Sequence, residues 1–450
     1  MIKPVEFKRV IPYVLVALAS LTPLAARQPN IVVFYLDDMA WADPGVYGGR
    51  LAPTPNMDSI ARSGVRFSNG YSSACVCSPA RVGLLTGRYQ ARTGHDAQPG
   101  KPGRELLLTE TTIAQHLKGA GYTTGIVGKW HVGDTTAEFM PASRGFDHAM
   151  GSLGNINEGV LKYYRGNEKM ATIEGDPITS PVYAKEACGF VEANKARPFF
   201  LYLSFNAVHT PHVASQKWLD RFKGLPKYRH HYAALLAEAD EAIGTVMTKL
   251  RELELEENTL IFCISDNGGA AAFAEQLGLR GSKWFVWEGG IRVTWMAQWK
   301  GTIPPNRVSA EPVIQLDVLP TALAAAGADK PGIEIDGVNL LPLLAGKTEK
   351  LAPRELYFRF GVQHAVRKGD WKLVKATKEM APMLVNLATD PGETTDLSDS
   401  EPAKKAELAA LFDKWNATMQ PPRWEDQRWN GDPRGPKGPR SKNKRKLDLE

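Results

Sequence analysis

Five polar clusters in the sequence carry side chains that can do chemistry together. Asp37-Asp38 and Asp266-Asn267 place three carboxylates and an amide in two adjacent pairs. Oxygen-only donors of that kind suit a hard cation, calcium or magnesium, and not zinc. Either pair also suits a turn or a helix cap, the ordinary use of such residues. Lys129 and His131 are two residues apart, so an extended backbone directs both side chains to one side. His209-Thr210-Pro211-His212 supplies imidazoles, and Lys283 precedes Glu288-Gly289-Gly290 in a glycine-bounded loop.

The densest stretch runs from Cys77 to Gly87, CSPARVGLLTG. Ser78 suits a helix N-cap, Pro79 the first turn and Gly87 the stop. Residue 77 then stands at the positive end of a helix, where anions are favoured, and Arg81 lies one turn on. A nucleophile held there would face a negatively charged substrate. The plainer reading is a buried cysteine beside an ordinary helix start.

The elements that must position these groups are legible as apolar runs. Asn30–Leu36, Thr123–Val127, Pro198–Phe205, Thr259–Ser265 and Ile291–Ala297 read as strands. Asn56–Ser63, Thr111–Lys118 and Lys227–Leu253 read as helices between them. Apolar strands alternating with helices predict an α/β fold, a large mostly parallel sheet sandwiched by helices. Ligands of such sheets bind outside the carboxyl ends of the strands. The polar clusters fall there, after Leu36, Val127, Phe205 and Ser265.

Past Leu344 the texture changes to short alternating strands, Glu355–Phe360, His364–Arg367 and Trp371–Val374, and a last helix, Pro402–Thr418. This predicts a smaller C-terminal α+β lobe on an antiparallel sheet. The expected organisation is therefore 27–350 catalytic domain, 351–419 C-terminal subdomain and 420–450 basic disordered tail. Residues 1–26 read as a cleaved signal peptide: Lys3, Lys8 and Arg9, then the mostly apolar Val10–Leu24, then Ala25-Ala26. That implies an exported protein, periplasmic or secreted, with no stable membrane span after cleavage.

The 450 residues are 43% hydrophobic and 23% charged, which excludes fibrous and wholly disordered classes. The net charge of +6 comes from the two ends of the chain, so nothing in the body favours nucleic acid. Four cysteines exclude a disulfide scaffold, and no disulfide is expected among Cys75, Cys188 and Cys263.

Residues 77–87 match C-x-P-x-R-x(4)-T-G, and the chain resembles the type I sulfatases of the alkaline phosphatase superfamily, of the arylsulfatase and N-acetylgalactosamine-6-sulfatase kind. Asp37-Asp38, Gly128-Lys129-Trp130-His131, Gly145-Phe146-Asp147, His209, Asp266-Asn267-Gly268-Gly269, Glu288-Gly289-Gly290-Ile291-Arg292, Val366–Lys372 and Asn386–Pro391 follow that family's order, and the resemblance spans about residues 29–415. It implies sulfate monoester hydrolysis with S–O cleavage. Cys77 would be oxidised by a maturase to Cα-formylglycine, whose hydrate is the nucleophile. One calcium ion would be held by Asp37, Asp38, Asp266, Asn267 and residue 77. Arg81 and His131 would hold the hydrate, Lys129 and Lys283 would bind the sulfuryl group, and His209 would bind sulfate and protonate the leaving alcohol.

Sulfated carbohydrate is the expected substrate, with an arylsulfatase or a phosphonate or phosphodiester hydrolase as alternatives. Trp284 and Trp287, in an unusually bulky loop, are expected to stack on sugar, and His212 to bind substrate or cap a turn. Gly151–Tyr164 matches no family motif; Asn155, Asn157, Tyr163 and Tyr164 are its candidate pocket residues. Against all of this stands a catalytically silent glycan-binding protein on the same fold, which the full set of catalytic residue types disfavours.

Overall fold

A computed structural model of the chain describes Met1 and residues 28–431, except 99–101, 157–159, 171, 175–176, 330 and 427. The signal segment, Asn157 and the tail from 432 onward lie outside the described residues. One ten-stranded sheet organises the large lobe. Its strands in chain order are β1 (Asn30–Leu36), β2 (Val65–Phe67), β3 (Thr123–Gly128), β4 (His148–Ser152), β5 (Tyr163–Arg165), β6 (Glu168–Lys169), β7 (Phe199–Ser204), β8 (Thr259–Ser265), β9 (Trp295–Gln298) and β10 (Arg307–Ser309). They lie side by side as β10-β2-β9-β8-β1-β7-β3-β4-β5-β6.

The five central strands, β8-β1-β7-β3-β4, are parallel. Each needs a crossover, and the crossovers place helices on both faces. Alternate residues of β1 feed the two cores. Val32, Phe34 and Leu36 pack in the cluster that holds helices Ser180–Ala193 and Lys227–Glu252. Ile31, Val33 and Tyr35 pack in the one that holds Cys77–Thr86, Ile113–Gly119 and Val318–Ala325. No residue of β1 touches solvent, which is why the strand reads as an unbroken apolar run.

Register then sets the site. Leu36 pairs with Ser265, Tyr35 with Ser204 and Ser204 with Gly128. The ends of β1, β8, β7 and β3 are therefore level, and the polar residues after each emerge on one edge.

Three details differ from the sequence reading. Ile291 belongs to a single helical turn, Glu288–Ile291, and the strand after it begins at Trp295 and runs antiparallel to β8. The cause is Glu288, whose carboxylate accepts from Arg292 Nε at 2.6 Å and closes the turn. The second sheet has four antiparallel strands, β11 (Glu355–Phe360), β12 (Gln363–Lys368), β13 (Trp371–Lys375) and β14 (Met383–Asn386), the last unanticipated. Helix Pro402–Asn416 covers one face of it through Leu408 and Phe412. Finally, residues 420–431 are not loose where described. Gln420 and Arg423 donate to the carbonyls of Ala91 and Gly94, and Trp424 is buried with its indole N–H on Gln98 O at 2.9 Å.

Candidate active site

Residue 77 opens the helix Cys77–Thr86, with Val76 in extended conformation as the N-cap. Ser78 is not the cap. Its hydroxyl meets His95 Nε2 at 2.8 Å instead. The whole helix is buried, so the charged groups around its start are held in a medium where unpaired charge is expensive.

Each has a close partner of opposite charge, and Arg81 Nη2 also stands 3.7 Å from Asp37 Oδ1. Lys283 Nζ stands 2.7 Å from Asp38 Oδ2 and donates to Cys77 Sγ at 3.3 Å. Lys129 Nζ donates to Asp37 Oδ2 and to Asn155 Oδ1. Arg81 Nη2 donates to Asp266 Oδ2 at 2.8 Å, and its Nη1 to Ser204 Oγ at 2.6 Å. The fork of Arg81 is thus engaged by the carboxylate cluster and the end of β7, not by residue 77 as the helix spacing suggests. Its guanidinium also lies over the Tyr35 ring, 5.2 Å from the centroid.

The four acidic-pair residues converge. Asn267 Nδ2 donates to Asp38 Oδ1 at 2.8 Å, and the Asp38 N–H to Asp266 Oδ1 at 3.0 Å. Asp38 reaches that position with φ of 62°, a left-handed backbone that few non-glycine residues adopt and that functional sites often hold. Cys77 Sγ is 3.7 Å from Asp38 Oδ1. Donor atoms of Asp37, Asp38, Cys77 and Asp266 all lie within 4.8 Å of one another. Asp37 Oδ1 and Asn267 Oδ1 are buried without a hydrogen-bond partner among the described residues. Two orphaned buried oxygens beside two further carboxylates are the donor set a hard divalent cation completes.

The charges are strongly perturbed. Burial works to raise Asp37, but Lys129, then His209 and Arg81, outweigh it and hold the carboxyl well below its usual range. Burial and the neighbouring Asp37 push Asp266 up. Burial and Asp37 push the Cys77 thiol well up as well, so the unmodified cysteine is protonated and a poor nucleophile. His131 is half-buried at the cavity wall, and burial of its ring with Lys129 and Arg81 keeps it neutral; its Nδ1 has no hydrogen-bond partner among the described residues. His209 is pushed down to about 4 by burial and Lys283. Its Nδ1 lies 2.5 Å from Thr210 O and its Nε2 3.6 Å from Asp38 Oδ2.

A cavity of about 370 Å³ opens onto this cluster, lined by Asp38, His131, Asn155, His209, His212, Lys283 and Trp284 among others. His212 packs edge-on against Tyr232 and Phe273. Trp287 is not on the cavity. It is 5% exposed in the core under the second sheet, with Arg280 stacked 3.9 Å above its ring, so it cannot stack on a sugar. Tyr164 is fully buried with its hydroxyl on Gly128 O at 3.0 Å, and Tyr163 packs half-buried against the core; both are structural. Ser204, Gln98, Phe273 and Arg428 were not anticipated. Ser204 is the last residue of β7, paired with Tyr35 two residues before Asp37, and that place at a strand end is the signal which marks it. The other three lie outside strands and motifs and offer no such signal.

The Sulfatase family model matches residues 29–328, and the model for the N-sulphoglucosamine sulphohydrolase C-terminal region matches 281–418. The chain is 34% identical to N-acetylgalactosamine-6-sulfatase of Canis lupus familiaris over 387 residues, 77% of this chain and 72% of the relative. It is 32% identical to arylsulfatase A of Homo sapiens over 433 residues, 83% and 84% of the two chains. The crystal structure of Ps i-CgsB in complex with k-i-k-neocarrahexaose superposes with a TM-score of 0.81 at 29% identity, covering 88% of this chain and 95% of that one. The chain belongs to the sulfatase family, as a sulfuric ester hydrolase of the alkaline phosphatase superfamily.

Proposed function

We propose that this protein releases sulfate from sulfated carbohydrate by S–O cleavage, that residue 77 acts after oxidation to formylglycine, and that the enzyme works outside the cytoplasm. The observation that carries the reading is the meeting of residue 77 with Asp38 and Lys283 at the start of a buried helix, 3.7 and 3.3 Å away. The relatives' names point to sulfated sugars, and the aromatic, cation-lined cavity suits a sulfated ring.

Asp37, Asp38, Asp266, Asn267 and residue 77 would hold calcium, whose positive charge would lower the proton affinity of the nucleophile and polarise the sulfate. Formylglycine supplies a hydrated aldehyde in place of a buried thiol that burial keeps protonated. The chain's own residues do the remainder. Lys129 and Lys283 face the sulfuryl oxygens and stabilise charge that grows in the transition state. Neutral His131, with an unpartnered Nδ1, accepts the proton of the attacking hydroxyl. A sulfate arriving beside His209 adds negative charge that raises the ring's proton affinity, so His209 takes up a proton and gives it to the leaving alcohol.

The test is hydrolysis in ¹⁸O-water by protein produced with its maturase, offered N-acetylgalactosamine 6-sulfate, sulfated oligosaccharides, 4-nitrophenyl sulfate and bis(4-nitrophenyl) phosphate. The expected result is label in the sulfate, none in the sugar, and kcat/KM at least tenfold higher for a sulfated sugar than for the aryl ester. Label in the sugar hydroxyl, or faster hydrolysis of a phosphodiester, would overturn the reading.

A further inference from the structure

We infer that Arg428, from the segment that follows the last helix, binds a second anionic group of the substrate. That makes a glycan with two negative charges, a second sulfate or a carboxylate, the preferred substrate class. The inference rests on the sulfated-carbohydrate reading and narrows it.

The segment lies beyond residue 418, where the family match ends, yet it is built into the wall of the cavity. Trp424 closes over Gln98, Arg423 donates to Glu105 O at 2.7 Å, and Trp429 packs edge-on against Phe360. Between those anchors Arg428 lines the cavity together with Lys283 and Trp284. Its guanidinium lies 4.0 Å from the centre of the Trp284 ring, and Lys283 Nζ lies 5.4 Å from the same centre. The two cations are therefore at most about 9.4 Å apart. A sulfate held at Lys283 leaves Arg428 within reach of another anion on the same sugar ring or the next.

Arg428 is suited to that task. Its side chain is 39% exposed, and its ion pair with Asp426, at 3.8 Å, is too long for a hydrogen bond between the side chains. A planar fork of five donors matches a sulfate or a carboxylate bidentately. The ring beneath it limits its rotamers, so little freedom is lost on binding. Lys283, by contrast, is already paired with Asp38 and belongs to the reacting centre.

The experiment compares wild type with Arg428→Gln and Arg428→Lys on three probes: N-acetylgalactosamine 6-sulfate, its 4,6-disulfate, and an unsaturated 6-sulfated chondroitin disaccharide that carries a carboxylate. Initial rates are read on matured enzyme, and calorimetric binding on Cys77→Ala protein. Arg428→Gln is expected to raise KM, and Kd, at least tenfold for one or both dianionic probes, while shifting the monosulfate less than twofold and leaving kcat unchanged. Arg428→Lys should recover part of the loss. The two dianions separate a sulfate preference from a carboxylate preference. An equal change on all three probes, or no change on any, overturns the inference. Absence of turnover on every probe counts against the parent reading instead, and the calorimetric arm still decides the role of Arg428.

Discussion

Replacing Lys372 by Met should both destabilise the protein and disturb a site the residue does not touch. Lys372, on β13, is fully buried, with Nζ 2.9 Å from Glu288 Oε1 and 2.8 Å from Glu393 Oε1. Glu288 keeps other partners: Arg292 at 2.6 Å and the hydroxyl of Tyr71 at 2.7 Å. Glu393 would keep the Glu288 N–H, at 2.6 Å. Breaking a buried ion pair from one side costs about 3–5 kcal/mol. Glu393 has an escape, because burial already raises its carboxyl to about 7 against the pull of Lys372; without the ammonium it takes up a proton.

The sign follows from linkage. A carboxyl whose folded pKa lies above its unfolded value binds a proton in the folded state that the unfolded chain has released, so stability falls as pH rises toward the folded pKa. In wild type that fall ends near pH 7. In Lys372→Met it continues above 7, by up to about 1.4 kcal/mol per pH unit. Urea unfolding at pH 6, 7 and 8 should therefore show a deficit that grows with pH, and Glu393→Gln in the variant background should remove the slope. Because Glu288 closes the turn after Lys283 and Trp284, kcat should also drop, about 10- to 100-fold for a misplacement on the order of 1 Å. A deficit below about 1 kcal/mol that is the same at all three pH values would refute the reasoning.

Cys77→Ala should abolish sulfate release while leaving the urea midpoint close to wild type; retained turnover would remove residue 77 as nucleophile. Chelation followed by calcium titration should shift the thermal midpoint upward, worth about 2.7 kcal/mol at a hundredfold excess over Kd, and Asp37→Asn should erase that shift; an unchanged response in the variant would exclude Asp37 as a ligand. His95 is buried neutral, pushed down to about 3 by burial and Arg423, so the unfolded chain binds its proton first as pH falls. That should cost about 1 kcal/mol between pH 6.5 and 5.5, a slope His95→Asn should flatten; an identical pH profile would show that another group carries the acid sensitivity.

The sequence was most readable where one physical demand acts on one residue. β1 and β8 are covered on both faces, so Asn30–Leu36 and Thr259–Ser265 had to be continuous apolar runs, and the acids after them had to stand at strand ends. Tertiary partners hid the rest. Glu288 winds Gly289–Ile291 into a helical turn through an ion pair with Arg292, a preference that strand propensity at Ile291 and Val293 conceals. The sequence presents Trp287 as a sugar platform, but Arg280 covers its face. The Pro- and Arg-rich stretch after 420 has the composition of a disordered tail, but Trp424 and Trp429 tie its first part down, and composition counts such anchors too lightly. Gln98, Phe273 and Arg428 reach the cavity from loops, and loop placement leaves no period to read.

The second family match begins at residue 281 and runs to 418, which joins the Lys283 loop to the small lobe rather than to the strands it faces. The ion network explains that unit. Lys372 and Arg367, on adjacent strands of the small sheet, grip Glu288 and Tyr71 in the large lobe, so the loop that carries Lys283 is fixed from below by the second sheet. The carboxylates of the site are fixed by the first sheet. Asp37, Asp38 and Asp266 are each matched by one cation drawn from elsewhere: Lys129 from the end of β3, Lys283 from the loop, Arg81 from the helix. With the histidines neutral this cluster carries no net charge, and a divalent cation would bring it to about +2, a charge suited to an anionic ester. The small lobe therefore braces one of the three charges in that balance from below, while the large lobe holds the same loop from above through Lys283 N–H on Gly269 O at 3.1 Å and Trp284 N–H on Cys75 O at 3.0 Å.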